Sequence, residues 1–493
     1  MKRTPAGVRA LVPLEAEQRT QVVRKIQGTF ESAGFRRVVT PTFELYDSIS
    51  PGLGPYLKGE CFNMLDRDGQ LLALRPDMTA AVARLVAHQM KGQRGELKLY
   101  YSGPVFRRRA WQHEFYQSGV ELIGPRSPEA DVAVISCIDR ALRNAGLKDY
   151  LIDVGHRDSL RRYKPAAQAA LVNRDYSEFG RLPHLKSAPW PGAPAYLKKI
   201  SQLLSKAGLK SRIQFNEGLV KDIAYYTGVI FEFISPRYGY VLASGGRYDQ
   251  LLGTYGDHRP AVGGAIHVDQ VLGALKQKQS APRKIDTPHT TIAVPKGHLL
   301  RKTLELFSAA GYRFQRADID DRQLSFSDRS GHLRFIVVRP TDVPVYVEHG
   351  AVDLGIVGKD ILLETRPKVA ELADLKFGRC RLVVAAPKNK KLSIRKLPHH
   401  VRVATKFTYG AEKFFADRGF DPQIIKLYGS VELGPLFGLA DVIVDLVDTG
   451  NTLRANGLEI IDEIYTSTAR LIANQSYLRA RRAVLQPILN KLL

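Results

Sequence analysis

Residues 440–458 read ADVIVDLVDTGNTLRANGL. Val442, Ile443, Val444, Leu446 and Val447 make an apolar run broken only by Asp445, the pattern of a buried strand in a parallel sheet. The run ends in Asp448-Thr449-Gly450-Asn451-Thr452, and Thr452-Leu453-Arg454-Ala455 can then open a helix. A strand, a short turn of Gly, Thr and Asn, and a helix N-terminus together form an anion cradle. Unpaired backbone N–H groups and the positive helix end point at the ligand, and the Thr449 and Thr452 hydroxyls add donors. Asp445 and Asp448 do not suit a bare phosphate; they suit the hydroxyls of a ribose that carries one. The same residues also fit an ordinary strand-to-helix turn with an Asx cap.

Four more stretches decide between these readings: RPTDVPVYVEHGAVDLGIVGKDIL (339–362), GRCRLVVA (378–385), RVATKF (402–407) and IIKLYGSVELGPLFGLAD (424–441). With 440–458 they resemble the ATP phosphoribosyltransferase family, in that family's order, over most of 291–493. The resemblance makes the 448–452 turn a loop for phosphoribosyl pyrophosphate (PRPP). It implies attack of adenine N1 of ATP on C1 of PRPP with release of pyrophosphate, the first step of histidine biosynthesis. It also implies a two-lobed α/β fold like that of periplasmic binding proteins. Such chemistry needs positioning and charge stabilisation rather than a covalent intermediate.

On that basis the 5′-phosphate falls to Thr449, Gly450, Asn451 and Thr452, and the ribose diol to Asp445 and Asp448. Pyrophosphate, carried with Mg²⁺, falls to Lys296, Arg322 and Arg339 as catalytic cations. ATP is assigned to His298, Glu348, Asp353 and Lys406. The family usually reads Pro-Lys-Gly-Arg where this chain has His298, so an always-charged fork becomes an imidazole that is mostly neutral at pH 7. Apolar runs at 291–297, 333–340, 351–358, 381–387, 402–406 and 423–428 predict two small parallel sheets. The first lobe is expected over 291–386 and 470–493, the second over 387–469.

The first half has another grammar. Val22, Ile26 and Phe30 share one stripe of a helix over 13–34. LKLYYSGPVF (97–106) and FYQSGVELI (115–123) predict antiparallel strands, and 229–234 and 238–243 a hairpin across Ser235-Pro236-Arg237. Clustered antiparallel pairs with helices between them argue α+β. LRPDMTAAVAR, SGPVFRRR, EFYQSGVELIG, AYYTG and SGGRYDQLL resemble the class II aminoacyl-tRNA synthetases, histidyl-tRNA synthetase above all, over roughly 5–275. The resemblance implies a histidine pocket lined by Asp77, Thr79, Gln117, Glu121, Tyr225 and Tyr226. The departures tell against aminoacylation. Lys221 stands where the family has an arginine for the amino-acid carboxylate, and lysine cannot grip it as a fork. Ala224 replaces an acidic residue, the loop after Arg107 is short, and a polar linker (276–290) follows residue 275 instead of an anticodon-binding domain. This half is similar to the synthetase-like regulatory subunit that partners short ATP phosphoribosyltransferases.

Composition agrees with a multi-domain globular chain: 493 residues, 44% hydrophobic and 25% charged. A formal charge of +24 favours anionic partners without separating nucleotides from nucleic acid. Cys61, Cys137 and Cys380 have neither disulfide nor metal-ligand spacing, which points to a reducing, cytoplasmic setting. No apolar run reaches membrane-spanning length. The expectation is an ATP phosphoribosyltransferase whose N-terminal half activates it and senses histidine, assembled as a symmetric homo-oligomer such as a tetramer. The alternative, a tRNA-binding synthetase derivative, lacks an aromatic-basic platform as well as the anticodon domain.

Overall fold

The stripe of Val22, Ile26 and Phe30 predicts a helix, and the computed structural model shows it over Pro13–Ser32, with Ile26 and Phe30 wholly buried. The structure describes residues 4–5, 7–93, 95–108, 112–219, 221, 225–279, 289–314 and 324–492. Two units divide the chain: residues 1–286 with Arg479–Arg481, and residues 287–478 with 482–493.

The first unit is organised on a nine-stranded sheet. Its centre is antiparallel: Leu97–Phe106, Glu114–Ile123, Ala261–His267, Val241–Arg247, Val229–Ile234 and Leu151–His156 lie side by side in that order. Helices Pro13–Ser32, Pro128–Asn144 and Val268–Gln279 bury apolar residues with one face of this sheet in a single core that includes Phe30, Ile138, Phe231 and Val271. Burying a side chain the size of Phe or Ile contributes about 2–3 kcal/mol, so that core carries much of the unit's stability. The hairpin differs from expectation in its second strand, which runs Val241–Arg247 rather than 238–243. Gly245 and Gly246 therefore lie inside the sheet, where a Cβ at Gly245 would come 2.2 Å from the Gly263 carbonyl. The helix after residue 267 also extends to Gln279, into the stretch expected as linker.

Two sheets make up the second unit. The first holds Ser325–Ser327, Leu333–Val338, Thr290–Pro295, Leu354–Gly358, Ala469–Asn474 and Val369–Asp374, in that order. The second holds Gln423–Lys426, Arg402–Thr405, Val442–Val447, Cys380–Pro387 and Leu458–Ser467. Two expectations need correction. The sheets are mixed, because Cys380–Pro387 runs antiparallel to both of its neighbours and Ala469–Asn474 does the same in the first sheet. An apolar run reads alike in either direction, so strand polarity was not in the pattern. The boundary of the first lobe also moves, since Cys380–Pro387 pairs on both sides within the second sheet. The chain passes between the sheets twice, from Asp374 to Cys380 and from Ser467 to Ala469. These passages run alongside each other, with Leu375 N–H donating to the Ala469 carbonyl and Ala469 N–H to that of Phe377.

Candidate functional site

Strand Val442–Val447 delivers the loop to the edge where the two sheets are joined. Val447 is in register with Arg381, one residue from Cys380, which itself pairs with Ser467 at the crossing. Gly450 adopts a left-handed conformation (φ 78°) and caps the five-residue helix Asn451–Ala455. Glycine takes this backbone without penalty, and a left-handed residue at such a turn can bring successive N–H groups to one side. Because the helix is a single turn, the cradle rests on those N–H groups and on hydroxyls more than on a macrodipole. Arg454 fixes the loop from below, donating to the Thr449 carbonyl at 3.1 Å and to Asn451 Oδ1 at 2.6 Å. Asp448, Thr449, Asn451 and Thr452 are exposed, and Asp445 is half-buried behind them. Burial pushes the Asp445 carboxyl up, against the Leu446 N–H and the nearby Lys406 ammonium. Lys406 follows Arg402–Thr405, the parallel neighbour of the loop strand, with Thr405 in register with Val444.

The first sheet brings Lys296 and Arg339 together. They follow neighbouring parallel strands whose last residues, Pro295 and Val338, are in register, and both side chains are exposed. His298 opens helix His298–Ala309 two residues after Lys296. Glu348 and Asp353 do not join them. Asp353 precedes Leu354–Gly358 and is 3% exposed, its carboxylate accepting the Thr291 N–H at 2.8 Å. The Glu348 carbonyl accepts from Asn474, at the same far edge of the sheet. Ligands meet such sheets at the C-terminal strand ends, so neither residue is placed to hold ATP. Arg322 lies outside the described residues.

In the first unit five of the six pocket residues are brought together, and Gln117 shares a strand with one of them. Asp77 caps helix Met78–Gln89 by accepting the Ala80 N–H at 2.9 Å, and its oxygens lie 3.4 Å from the Tyr225 hydroxyl. Glu121, wholly buried, accepts from Thr79 at 2.8 Å and from the Tyr248 hydroxyl. Gln117 is buried four residues earlier on the same strand, so both project from one face. The Tyr225 and Tyr226 rings are 5.0 Å apart. Glycine makes the room: a Cβ at Gly263 would sit 1.6 Å from a Glu121 oxygen, and one at Gly246 would sit 2.8 Å from the Tyr226 ring. Burial raises the Glu121 carboxyl to about 8, against the hydrogen bonds from Tyr248 and Thr79. It raises Asp77 too, although Arg107 stands 3.6 Å away. Tyr225 and Tyr226 also face a cavity of about 650 Å³ bordered by Arg126, Arg157 and Arg161.

Two participants escaped the sequence reading. Tyr248 belongs to the quoted SGGRYDQLL stretch, and Arg107 to SGPVFRRR, so the signal for each was present. Lys221 is paired with the buried Glu232, whose carboxyl is held low by Lys221 and Arg479 despite its burial. Its charge is spent inside the protein. Ala224 lies outside the described residues.

Comparison with known proteins assigns different families to the two parts of the chain. The ATP phosphoribosyltransferase family model matches residues 339–493, and the histidyl-tRNA synthetase model matches 7–179 and 180–271. A curated ATP phosphoribosyltransferase of Caldanaerobacter subterraneus is 48% identical over 202 residues, 41% of this chain and 95% of the relative. One from Gloeothece citriformis is 52% identical over 204 residues, again 41% of this chain and 95% of the relative. The chain belongs to the ATP phosphoribosyltransferase family and carries a domain of the histidyl-tRNA synthetase family. A solved histidine–tRNA ligase subunit of Alicyclobacillus acidocaldarius, at 24% identity and TM-score 0.50, covers 57% of this chain and 99% of its own; it shares the fold. The part matched by the ATP phosphoribosyltransferase model thus holds the loop Asp448–Thr452 with Arg339 and Lys406, and the synthetase-like part holds the acidic pocket. Among the described residues no helix is long and apolar enough to cross a membrane.

Proposed function

We propose that residues 287–493 bind PRPP on the loop Asp448–Thr452 and transfer its phosphoribosyl group to N1 of ATP. As the N1–C1 bond forms, the bond from C1 to the pyrophosphate oxygen breaks and its electron pair leaves with pyrophosphate. Thr449, Gly450, Asn451 and Thr452 hold the 5′-phosphate, and Asp445 and Asp448 hold the ribose diol. Lys296 and Arg339 receive the departing pyrophosphate, which arrives with Mg²⁺ as part of the substrate. Lys406 and His298 are the ATP contacts that remain at the ligand edges. The observation that carries this reading is the exposed left-handed turn at Gly450, held by Arg454, beside Asp445 and Lys406. Pyrophosphate release should require both ATP and PRPP. D445N should lower kcat/KM for PRPP about 10–100-fold, the effect of losing a charged acceptor for a buried hydroxyl. Release that ignores ATP, or a D445N enzyme equal to the parent, would overturn the assignment.

The synthetase-like part acts as the histidine sensor in this reading. Asp77 and Glu121 are buried acids suited to a cationic amino acid with an imidazole, and Tyr225 and Tyr226 supply faces for the ring. Aminoacylation is not its task, because Lys221 is neutralised by Glu232. A symmetric homo-oligomer in the cytoplasm completes the proposal; Cys61, Cys137 and Cys380 are all free thiols, as a reducing compartment allows.

A further inference from the structure

Helix Lys359–Thr365 follows strand Leu354–Gly358 of the first sheet and is tied to the crossing between the sheets. Lys359 N–H donates to the Thr468 carbonyl at 3.0 Å, and the Ser467 hydroxyl donates to Asp360 at 2.8 Å. At its other end Glu364 reaches the second sheet's own helix, Thr408–Ala416. One carboxylate oxygen accepts from the Tyr409 N–H at 2.9 Å and the Thr408 hydroxyl at 3.2 Å; the other accepts from the Gly410 N–H at 3.0 Å. Helix Thr408–Ala416 needs this partner. Its N-cap residue is Phe407, whose side chain makes no capping bond and is buried in the core. First-turn N–H groups have no partner within their own helix, so a carboxylate from the other lobe takes the place of a local cap. Arg366, just after the same short helix, lies over the Tyr409 ring at 4.1 Å and adds a second tie.

The capped helix continues directly from the ligand edge. Thr405 donates to the Val444 carbonyl on the loop strand at 2.7 Å, and its hydroxyl accepts the Phe407 N–H at 2.8 Å. Lys406 lies between these two residues and acts on Asp445. We infer that Glu364 is a positioning residue that ties the lobe carrying Lys296 and Arg339 to the segment carrying Lys406. It thereby fixes how far the cations that receive pyrophosphate stand from the loop and Lys406. This rests on the assignment of the loop Asp448–Thr452 to PRPP. Since that loop holds the 5′-phosphate and ribose on the second lobe, while Lys296 and Arg339 on the first meet the pyrophosphate as it departs, PRPP binding and turnover should separate when the tie is cut.

The test uses the full chain with E364A and E364Q, measuring steady-state pyrophosphate release and equilibrium binding of PRPP. In E364A, kcat should fall about 10–100-fold, the scale of a misplacement near 1 Å, while PRPP affinity stays within threefold. E364Q, which keeps one acceptor oxygen, should lie between E364A and the parent. A merely structural role would lower the melting temperature and leave kcat of the folded enzyme within twofold, and that result overturns the inference. So does a PRPP affinity that falls in step with kcat. If E364A does not fold, the same two readouts on E364Q decide. A parent chain inactive with ATP and PRPP would instead remove the functional reading beneath it.

Discussion

Glu121 is charged only at a cost. An acid whose pKa in the folded chain is about 8, against an ordinary 4.5, holds its proton more tightly when folded than when unfolded. Stability from that difference is complete below about pH 4.5 and is lost as the pH rises through 8. By then, ionising the carboxyl among Tyr248, Thr79 and the neighbouring Asp77 costs on the order of a few kcal/mol. E121Q removes the ionisation and keeps an oxygen that can accept. Its melting temperature should equal the parent's near pH 5 and exceed it by several degrees near pH 8.5, by calorimetry on the ligand-free chain. Equal melting temperatures at both values would mean that burial does not hold the proton on Glu121. Histidine, which brings positive charge to the site, should stabilise the parent at pH 8.5 and leave E121Q unmoved.

At the scale of the element, Asp77 has two duties that separate cleanly. It caps helix Met78–Gln89 through the Ala80 N–H, and it presents a charge beside Tyr225 and Arg107. D77N keeps a capping oxygen and loses the charge, so it should weaken histidine binding at least tenfold with little loss of stability. D77A loses the cap too and should cost about a further 1 kcal/mol in urea unfolding. Equal stability of the two variants would show that the cap contributes nothing. Elements of this kind were legible in the sequence wherever an apolar period or a glycine turn marks them. The helix Pro13–Ser32, the strand pair Leu97–Phe106 and Glu114–Ile123, and the turn at Gly450 are all where the residues put them. Direction and sheet membership were not legible, because Cys380–Pro387 is apolar on both faces and reads the same in either lobe. Glu348 and Asp353 were misjudged for a related reason: residues that precede a parallel strand lie at the edge away from the ligand, and that rule outranks their charge. The grip of Glu364 on Tyr409 and Gly410 joins residues about 45 apart and leaves no local trace.

At the scale of the whole molecule, one chain holds the loop proposed for PRPP in one unit and the acidic pocket proposed for histidine in the other, each with its own core. If histidine in the first unit restrains the reaction in the second, the two sites share a coupling free energy, and that energy is the same seen from either site. A coupling of about 1–3 kcal/mol corresponds to roughly 5–150-fold in affinity. Titrating histidine into the full chain by calorimetry, with and without saturating PRPP, should therefore show histidine weakened by PRPP. The factor should match the one by which histidine weakens PRPP. The rate of pyrophosphate release should fall as histidine fills its site, and in E121Q that fall should disappear together with the heat of binding. Histidine that binds with an affinity indifferent to PRPP would break the thermodynamic link, and any slowing of the reaction would then have to act on kcat alone. The equality of the two factors is the stringent outcome, because inhibition by competition at the PRPP loop would abolish histidine binding under saturating PRPP, whereas coupling between separate sites only weakens it by a fixed ratio.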